Sequence, residues 1–479
     1  MFKPSDNQLD IFDFVKYGYG NAVISAVAGS GKTTTIIEAL KHIKDDKSVL
    51  FLAFNKSIVD ELKQKIQREK TDIRTTHSLG FSMIRNKYRN IDIKVNEDKY
   101  LEKITSTVKL NNKRYLRNIV NLCDYGRFFL IKGEKELKEI ANKYGIVPIH
   151  DEFDVTLRLL EWSKTSIVET GEIDYTDMIY LPNVLNLRAF KYDFVIVDEA
   201  QDLSISQMNL FKKCIKQGSR FIAVGDNNQC INAFAGSDVE SFNKLKNESN
   251  TVNLPLTVSY RCPKNIVKFA QRYVPEIQYN ENAEDGLIRI DVELNELKGG
   301  DMILCRYISP IVKLYIKLLD DNVKCFIKGS EVGENLLSLI ENTSSDEICG
   351  ENGILFELDK FLLDYVNNNN DNDVKNTLNY NNLKDEIECI EILSRKLTSR
   401  DELINKINEI FIKNEEEGII LSTIHKSKGL EADNVYILYD YLTPSKYAKL
   451  DWELKQEDNL KYVSYTRAKK ILGFLNIKL

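Results

Sequence analysis

The feature that most constrains this chain is a glycine-rich turn at residues 26–33, which read AVAGSGKT. The turn matches the pattern G-x-x-x-x-G-K-[ST], except that Ala26 takes the first glycine position. The apolar run 22–27 predicts a buried strand before the turn, and residues 34–43 predict a helix after it. Backbone N–H groups at such a turn can surround a phosphate, because the helix dipole favours an anion there. The chain is therefore expected to bind a nucleotide.

Two side chains of the turn are expected to bind the nucleotide together with the backbone N–H groups. Lys32 is predicted to neutralise oxygens of the β- and γ-phosphates, and the Thr33 hydroxyl is predicted to coordinate Mg²⁺. The predicted nucleotide-binding residues of this segment are Ala28, Gly29, Ser30, Gly31, Lys32, Thr33 and Thr34.

A second motif, DEAQD, directly follows the apolar run at residues 194–197. An apolar strand that ends in Asp-Glu is typical of the Walker B motif of nucleotide hydrolases. Asp198 is predicted to hold Mg²⁺ through water, and Glu199 is predicted to act as the general base on the attacking water. A guanine-specific site is excluded, because residues 55–58 read NKSI and lack the aspartate of the guanine-reading NKxD motif.

The formal net charge of −6 is unevenly distributed along the chain. Residues 331–417 contain 21 acidic and 8 basic residues, a net charge of −13, which leaves +7 for the other 392 residues. Residues 85–143 contain 15 basic and 8 acidic residues, with Tyr88 and Tyr115 next to basic ones. Basic and aromatic residues together suit a phosphate backbone and stacked bases, although a solvated helical face produces the same pattern.

Composition excludes several other classes of protein. The chain has 43% hydrophobic and 29% charged residues, which is typical of a globular protein and excludes disorder throughout. No run of about 18 uncharged apolar residues occurs, so no association with a membrane is expected. The eight cysteines are isolated and there are only four histidines. This predicts a reduced intracellular protein, cytoplasmic or nuclear, without a zinc ribbon or a His-rich metal site.

Short apolar runs recur along the chain and alternate with helix-like stretches such as residues 34–43 and 57–67. This alternation predicts an α/β fold built on buried parallel strands. Residues 85–172 and 331–417 have mainly helical patterns instead, and they are predicted to be insertions. The predicted strands are 22–27, 48–54, 194–197, 221–224, 302–305, 419–422 and 435–438.

Four further motifs follow along the chain. Together with the two motifs described above, their order is specific to one family of proteins. They are GDNNQ at 225–229, SYRCP at 259–263, LSTIHKSKGLE at 421–431 and YVSYTRA at 462–468. In this order the chain resembles the superfamily 1A DNA helicases, the UvrD/Rep/PcrA-like family. Its early motifs are also similar to the cores of F-box DNA helicases. The resemblance covers residues 7–470 apart from the two insertions.

The resemblance implies two RecA-like parallel-sheet domains, 1A and 2A, with ATP hydrolysed between them. It also implies that the two helical insertions are the family's subdomains 1B and 2B, of which 2B is short and acidic here. The implied boundaries are 1–84 and 173–257 for 1A, 85–172 for 1B, 258–330 and 418–479 for 2A, and 331–417 for 2B.

Recognition of the nucleoside is assigned by the same resemblance. Gln8 is expected to read the adenine edge, since a side-chain amide offers both a donor and an acceptor. Tyr260 is expected to stack on adenine, and Glu431 is expected to contact the ribose. Thr34 stands where many relatives have an arginine that covers the other face of adenine.

The catalytic residues implied by the resemblance surround the γ-phosphate. Gln229 senses that phosphate, while Arg261 and Arg467 approach it, with Arg467 as the arginine finger. Together with the residues predicted above, the expected catalytic set is Lys32, Glu199, Gln229, Arg261 and Arg467.

Contacts with single-stranded DNA are also implied, mainly at the ends of strands. At residues 231–236 the chain reads INAFAG, so Asn232 and Ala235 replace the family's usual Tyr and Arg while Phe234 keeps the base-stacking aromatic. The expected DNA-binding residues are Phe54, Asn55, Thr76, His77, Phe234, Thr423 and His425.

The resemblance therefore implies an ATP- and Mg²⁺-dependent 3′→5′ DNA helicase or translocase. It is expected to act as a monomer on single-stranded DNA and on junctions of single- and double-stranded DNA, with a possible protein partner at residues 331–417. One alternative is a translocase that strips bound proteins with little unwinding, and another is a nucleotide-dependent switch. Whether the substrate is RNA or DNA stays an open question, because the family's motifs contact mainly the nucleic-acid backbone and stacked bases.

Overall fold

The computed structural model describes residues 3–478, except 108–112, 145, 147–150, 232–235, 237–238, 351, 368–373 and 413–416. The chain divides into two units, Met1–Thr257 and Val258–Leu479. Each unit contains a six-stranded sheet in which every pair of neighbouring strands is parallel.

The first unit contains a six-stranded sheet and a two-stranded ribbon. Its strands are β1 Asn21–Ala26, β2 Val49–Ala53, β3 Thr71–Thr75, β4 Lys94–Val95, β5 Glu172–Ile173, β6 Tyr192–Val197, β7 Ile215–Gly225 and β8 Thr251–Leu256. The sheet has the order β3-β2-β6-β7-β1-β8, and β4 pairs with β5. Its helices are α1 Asp6–Tyr17, α2 Lys32–Leu40, α3 Lys56–Lys65, α4 Thr76–Lys87, α5 Lys99–Thr107, α6 Lys113–Phe129, α7 Glu134–Lys143, α8 Glu152–Thr170, α9 Tyr175–Val184, α10 Ile205–Lys212 and α11 Val239–Lys246.

The sheet of the first unit is buried on both faces, as is usual for parallel sheets. All five residues of β2 are buried, and they alternate between two hydrophobic clusters. Phe51 packs in one cluster, while Leu50 and Leu52 pack in the other. Functional side chains can then lie only at the sheet's edges, and the loops after the parallel strands meet at the carboxyl edge.

The first helical insertion is joined to the sheet-bearing part by a buried ionic cluster. Arg127 of α6 donates to Asp174, the N-cap of α9, at 2.7 Å from Nη1 to Oδ1. Lys99 of α5 forms an ion pair with Asp177 of α9, and the Tyr100 hydroxyl donates to the same carboxylate at 2.8 Å. All five side chains are almost completely removed from solvent. The N-terminus of α9 is therefore held by both α5 and α6.

Helices α4 and α9 approach each other closely at a glycine. A Cβ atom on Gly80 would lie 1.8 Å from the backbone oxygen of Met178, so a side chain cannot be accommodated without moving backbone. The helices run side by side in the same direction, because His77 also contacts Tyr175, three residues earlier in each helix. Both helix N-termini consequently lie at the carboxyl edge of the sheet.

Gly80→Ala is expected to lower the free energy of unfolding of the first unit by about 1–3 kcal/mol, because the added methyl group overpacks the helix contact. Chemical denaturation measures this change. The matched control is Gly133→Ala, since a Cβ at Gly133 would meet nothing within 4 Å. If both substitutions had the same small effect, the close approach of α4 and α9 would be wrong.

The second unit contains the other large sheet. Its strands are β9 Val258–Ser259, β10 Gln278–Tyr279, β11 Leu287–Arg289, β12 Met302–Cys305, β13 Cys325–Ile327, β14 Ile419–Thr423, β15 Ala432–Leu438 and β16 Ala468–Leu475. The sheet has the order β11-β16-β15-β12-β14-β13, and β9 pairs with β10. Its α-helices are α12 Lys264–Ala270, α13 Ile308–Asp320, α14 Ser330–Glu341, α15 Ile354–Asn367, α16 Leu378–Ser394, α17 Arg400–Ile407 and α18 Asp451–Tyr465.

The second helical region, residues 331–417, packs directly against the sheet-bearing part of its unit. One hydrophobic cluster contains Leu336 and Ile390 from this region together with Ile303 and Leu421 from strands β12 and β14. The carboxylate of Asp385 in α16 also accepts the backbone N–H groups of Ile308 at 2.7 Å and Ser309 at 3.0 Å. The acidic region is therefore attached to the first turn of α13, at the carboxyl end of β12.

The prediction of an α/β fold with buried parallel strands is confirmed, and all seven predicted runs coincide with strands of the two sheets to within one residue beyond a strand end. Helices α2 and α3 begin earlier than the apolar pattern predicts, because their N-caps are Gly31 and Asn55. In the described part of the chain, no helix has the length and apolar character needed to cross a membrane.

Candidate functional site

The turn after β1 has the backbone of an anion-binding loop. Gly29 and Gly31 adopt φ values of 69° and 77°, which L side chains rarely adopt. The turn leads directly into the N-terminus of α2. Within it, the Ser30 hydroxyl oxygen is buried without a hydrogen-bond partner. A buried hydroxyl of this kind is costly unless a ligand or water satisfies it.

Lys32, the first residue of α2, points at the carboxyl end of β6. Its Nζ lies 3.0 Å from Oε1 of Glu199. Burial lowers the pKa of Lys32, but the charges of Glu199, Asp226 and Asp198 outweigh this effect and raise it. The ammonium group is therefore charged, and it faces three carboxylates from the loops after β6 and β7.

Asp198 and Glu199 lie next to each other at the end of β6. Asp198 accepts a hydrogen bond from the Thr33 hydroxyl at 3.3 Å. Burial and the neighbouring Glu199 raise the pKa of Asp198 to about 6, against the opposing effects of Lys32 and Thr33. Glu199 has a φ of 50°, which is unusual for a residue with a side chain and costs on the order of 1–3 kcal/mol. Two carboxylates and a hydroxyl thus converge beside the glycine-rich turn.

Gln201 connects this pair to the loop after β7, and the sequence did not single it out. Its Nε2 donates to Glu199, and its Oε1 accepts the backbone N–H of Asp226 at 3.0 Å. Asp226 in turn accepts from Nε2 of Gln229 at 2.7 Å. A continuous hydrogen-bonded path therefore runs from Lys32 to Gln229. The available signal was the position of Gln201 inside DEAQD, but position alone does not show where an amide points.

Gln8 lies behind the turn and is buried. Its Nε2 donates to the Thr35 hydroxyl at 2.8 Å, and its Oε1 accepts the backbone N–H of Ser5 at 3.0 Å. Thr35 also donates to the carbonyl of Gly31, so Gln8 is connected to the glycine-rich turn. Thr34 is exposed and faces away from this group.

In the second unit, three of the motifs meet around one carboxylate. Glu431, just before β15, accepts from Nε of Arg261 at 2.6 Å and from Nζ of Lys469 at 2.6 Å. Burial raises the pKa of Glu431, but Lys469 and Arg261 lower it more, so it stays ionised. Arg261 also donates to the carbonyl of Thr466 at 3.3 Å. Lys469 was not among the predicted site residues.

The remaining predicted nucleotide contacts of this unit differ in exposure. Tyr260 is 46% exposed, whereas Arg467 is buried. The Arg467 guanidinium donates to the carbonyl of Val463 at 2.9 Å and to that of Leu430 at 3.2 Å, among other contacts. The role of Arg467 as an arginine finger stays a prediction.

The predicted DNA contacts of the first unit lie at the carboxyl edge of its sheet. Phe54 follows β2 and is 52% exposed, while Asn55 caps α3 through the backbone N–H of Ile58. Thr76 is buried at the start of α4, and His77 meets the ring of Tyr175 edge-on at 6.2 Å.

Tyr175 is 54% exposed, and nothing in its sequence pattern had suggested a place beside a predicted DNA contact. Phe234 lies outside the described residues, as do Asn232 and Ala235.

Thr423 is the last residue of β14 and His425 lies just after it, at the carboxyl edge of the second sheet. Thr423 is buried, and burial together with the nearby Arg306 lowers the pKa of His425 to about 3. Arg306 is itself buried in an ion pair with Glu457 of α18, at 2.7 Å. His425 is therefore neutral at physiological pH, and the charge of Arg306 further disfavours its protonation.

This depressed pKa predicts a pH-dependent contribution to stability. Below about pH 6.5 an unfolded His425 binds a proton that the folded one excludes, so stability falls as pH falls toward 3. Relative to His425→Gln, the wild-type chain is expected to lose up to about 1.4 kcal/mol of unfolding free energy per pH unit below pH 6.5. Urea titrations of both chains between pH 7.5 and 5 measure the difference, and parallel pH profiles would contradict the burial of a neutral ring.

Comparison with known proteins agrees with this arrangement. The family model described as the UvrD/REP helicase N-terminal domain matches residues 10–250, about half of the chain. The chain belongs to the UvrD/REP helicase family. The match includes the glycine-rich turn, the DEAQD motif and the loop after β7.

Three relatives illustrate the breadth of this family. An ATP-dependent DNA helicase Rep of Buchnera aphidicola is 25% identical over 288 residues, which cover 54% of this chain and 42% of the relative. F-box DNA helicase protein 1 of Schizosaccharomyces pombe is 24% identical over 500 aligned residues, covering 94% of this chain and 55% of the relative. An ATP-dependent DNA helicase PcrA of Staphylococcus aureus is 24% identical over 290 residues, covering 54% and 38%. The chain thus spans between about two fifths and a little over half of the length of these relatives.

Proposed function

We propose that this member of the UvrD/REP family is an ATP-dependent DNA motor that moves 3′→5′ on single-stranded DNA and opens junctions with duplex DNA. The observation that carries the proposal is the hydrogen-bonded path from Lys32 through Glu199 and Gln201 to Gln229. Three relatives whose names describe ATP-dependent DNA helicases or a DNA helicase support it. The proposed active form is a monomer.

The glycine-rich turn fits the phosphates of ATP. Its two positive-φ glycines lead into the N-terminus of α2, and backbone N–H groups at a helix N-terminus favour an anion. The unpartnered hydroxyl of Ser30 would gain a hydrogen-bond partner from a phosphate oxygen. Lys32 is already charged and lies beside the turn, so the residues present fit the polyphosphate group.

Thr33 and Asp198 fit a magnesium ion, which accepts hydroxyl and carboxylate oxygens. Their oxygens lie 3.3 Å apart, and burial together with the neighbouring Glu199 raises the pKa of Asp198, as expected for a site that favours positive charge. The described residues form no group of three or more His, Cys, Asp or Glu that could bind a metal. Mg²⁺ would therefore take its other ligands from phosphate oxygens and water.

In the proposed reaction, bound ATP and Mg²⁺ supply the scissile phosphoanhydride bond and a cation that neutralises its oxygens. Lys32 exchanges its ion pair with Glu199 for a phosphate oxygen. The freed Glu199 carboxylate accepts the proton of the attacking water. Gln201 links Glu199 to Asp226 and hence to Gln229, so a change at the base is passed to the loop after β7.

The second unit carries the remaining residues to which the proposal assigns a role at the nucleotide. Arg261 and Arg467 are proposed to stabilise negative charge on the transferring phosphoryl group, Tyr260 to stack on adenine and Glu431 to bind the ribose. Such a role requires Arg261 to leave its present contact with Glu431. Because binding and loss of the γ-phosphate change the partners of these arginines, hydrolysis can alternate between two states of the protein.

The carboxyl edge of the first sheet is the proposed path of the nucleic acid. Phe54, His77 and Tyr175 place three rings there, of which Phe54 and Tyr175 are about half exposed. Base stacking on an aromatic side chain is worth about 1–3 kcal/mol and is tolerant of sequence. A motor needs such sequence-tolerant contacts, because it must release and bind every base in turn.

The first test is the steady-state rate of ATP hydrolysis with and without single-stranded DNA. The proposal predicts strong stimulation by single-stranded DNA and a weaker effect of blunt duplex DNA. An equal length of single-stranded RNA shows whether the sugar matters. If the rate of hydrolysis does not change when any of the three nucleic acids is added, the proposed motor activity is contradicted and the nucleotide-dependent switch is favoured.

A translocase that strips proteins from single-stranded DNA is the second candidate. The observation that favours it is the charge of residues 331–417, whose net −13 disfavours contact with duplex DNA. Strand displacement on a junction and removal of a protein bound to single-stranded DNA distinguish the two activities. Removal without displacement would favour the stripping activity.

A further inference from the structure

Lys426 occupies an unusual place in the motif that follows β14. It comes directly after His425, at the carboxyl edge of the second sheet, and its side chain is 32% exposed. Its ammonium group forms an ion pair with Glu331, which belongs to the first turn of α14. The aliphatic stem packs over Gly329, since a Cβ placed on that glycine would lie 3.5 Å from Cγ of Lys426.

Glu331 belongs to the acidic region 331–417, and it is 70% exposed at its side chain. A second carboxylate of the same region, Asp385, accepts the two first N–H groups of α13 at the end of β12. Strands β12 and β14 are neighbours in the sheet. The acidic region therefore places carboxylates at two positions on this edge. One carboxylate binds a lysine and the other binds a helix N-terminus. Lysine side chains and helix N-termini are both groups that bind phosphate in other proteins.

We propose that Lys426 is a contact for the nucleic-acid backbone and that Glu331 competes with the phosphate for it. In the free protein Glu331 neutralises Lys426, so a phosphate gains the contact only by displacing a carboxylate. The acidic region thus lowers the affinity of this edge for nucleic acid. It also makes that affinity less dependent on salt concentration. This inference rests on the proposed binding of single-stranded DNA.

Two features make the exchange feasible. The pair is exposed to solvent on the Glu331 side, and exposed ion pairs are weak enough to be replaced by another anion. Since Glu331 lies at the end of a helix, it can move away without unfolding the loop that carries Lys426.

The test is the affinity for an oligonucleotide of single-stranded DNA, measured by fluorescence anisotropy across a series of salt concentrations. Glu331→Gln is expected to bind roughly two- to fivefold more tightly at low salt, as expected for the loss of an exposed competing pair. The slope of log K against log salt concentration should become steeper by about 0.7, because one more phosphate contact then releases a counterion. A structural role of the pair alone would not change this slope.

Two controls separate local exchange from a general change in charge. Glu341→Gln removes one negative charge from the exposed end of the same helix, and it should leave the slope unchanged. In a Lys426→Ala background, Glu331→Gln should no longer steepen the slope. If Glu331→Gln and Glu341→Gln act alike, or if the effect persists without Lys426, the inference is overturned.

Failure of the broader proposal gives a different result. If the wild-type chain does not bind single-stranded DNA even at low salt, the proposed motor function fails. If it binds and its slope is the same with and without Glu331, only the competition at Lys426 is wrong.

Discussion

Glu199→Gln is expected to lower the DNA-stimulated rate of ATP hydrolysis by about 10²–10⁴-fold, the range that a general base contributes. Glutamine keeps the size of the side chain but cannot accept the proton of the attacking water. The substitution also removes one of the charges that raise the pKa of Asp198, so the oxygen proposed to hold Mg²⁺ stays ionised. Steady-state release of phosphate in the presence of single-stranded DNA measures the effect.

Binding of the nucleotide should survive this substitution. Lys32, Thr33 and the glycine-rich turn are unchanged, and loss of the ion pair leaves Lys32 free for phosphate. Equilibrium titration with a non-hydrolysable analogue of ATP separates the two effects. The matched control is Glu38→Gln, at a carboxylate of α2 that is 28% exposed and pairs with Lys41, and this variant should stay within about twofold of the wild-type rate. A normal rate in Glu199→Gln would assign the base to another residue.

Arg127→Met is expected to destabilise the first unit by about 3–5 kcal/mol, because it leaves Asp174 and Asp177 buried with only one cation, Lys99. Burial alone lowers the pKa of Arg127, but Tyr100, Asp174 and Asp177 raise it well above its usual value, so the guanidinium is charged. Despite that charge, burial raises the pKa of Asp174 to about 6. Methionine keeps an aliphatic side chain in place of the arginine stem but carries no charge. The change in unfolding free energy therefore reports mainly the loss of the charge and little loss of packing.

Urea denaturation followed by the fluorescence of Trp162 reports this change. Trp162 packs edge-on against Tyr100 at 5.8 Å, inside the same unit, and replacing Trp452 removes the signal of the other unit. The control is Lys65→Met, which breaks an exposed pair with Glu61 and should cost less than about 1 kcal/mol. Equal effects of the two substitutions would show that the buried cluster does not hold α9.

Much of the nucleotide site was predictable, because its parts are local in sequence. The glycine-rich turn and the DEAQD motif each directly follow an apolar run. The carboxyl ends of parallel strands lie at one edge of the sheet, so Lys32, Thr33, Asp198 and Glu199 were expected at the same edge, and the structure places them in contact although β7 separates β6 from β1. The spacing of the motifs therefore indicated chemistry before any contact was known.

Gln201 and Lys469 were not predicted, for a different reason. Each makes its contact through a long side chain whose direction depends on packing far away in sequence. Gln201 reaches Asp226 across 25 residues, and Lys469 reaches Glu431 across 38. Tyr175 was missed because its neighbour His77 comes from another helix, and only the close approach at Gly80 aligns the two helices.

The acidic region shows the same limit on a larger scale. Its charge and its helical pattern are evident in the sequence, and they predict an insertion with a polar surface. Periodicity shows that a helix has an apolar face but not which surface covers that face. Only the structure shows that Leu336 and Ile390 share a cluster with strands β12 and β14, and that Glu331 reaches Lys426.

By itself, then, the sequence determined that this chain has parallel α/β sheets, a glycine-rich turn after one strand and an acidic pair after another. These features are encoded by runs of neighbouring residues, whose local conformations follow from apolar pattern and turn chemistry. The tertiary structure alone decided which carboxylate meets which cation: Glu199 with Lys32, Glu431 with Arg261, and Glu331 with Lys426. Ion pairs between distant residues depend on where packing places the backbone, and no local pattern carries that information.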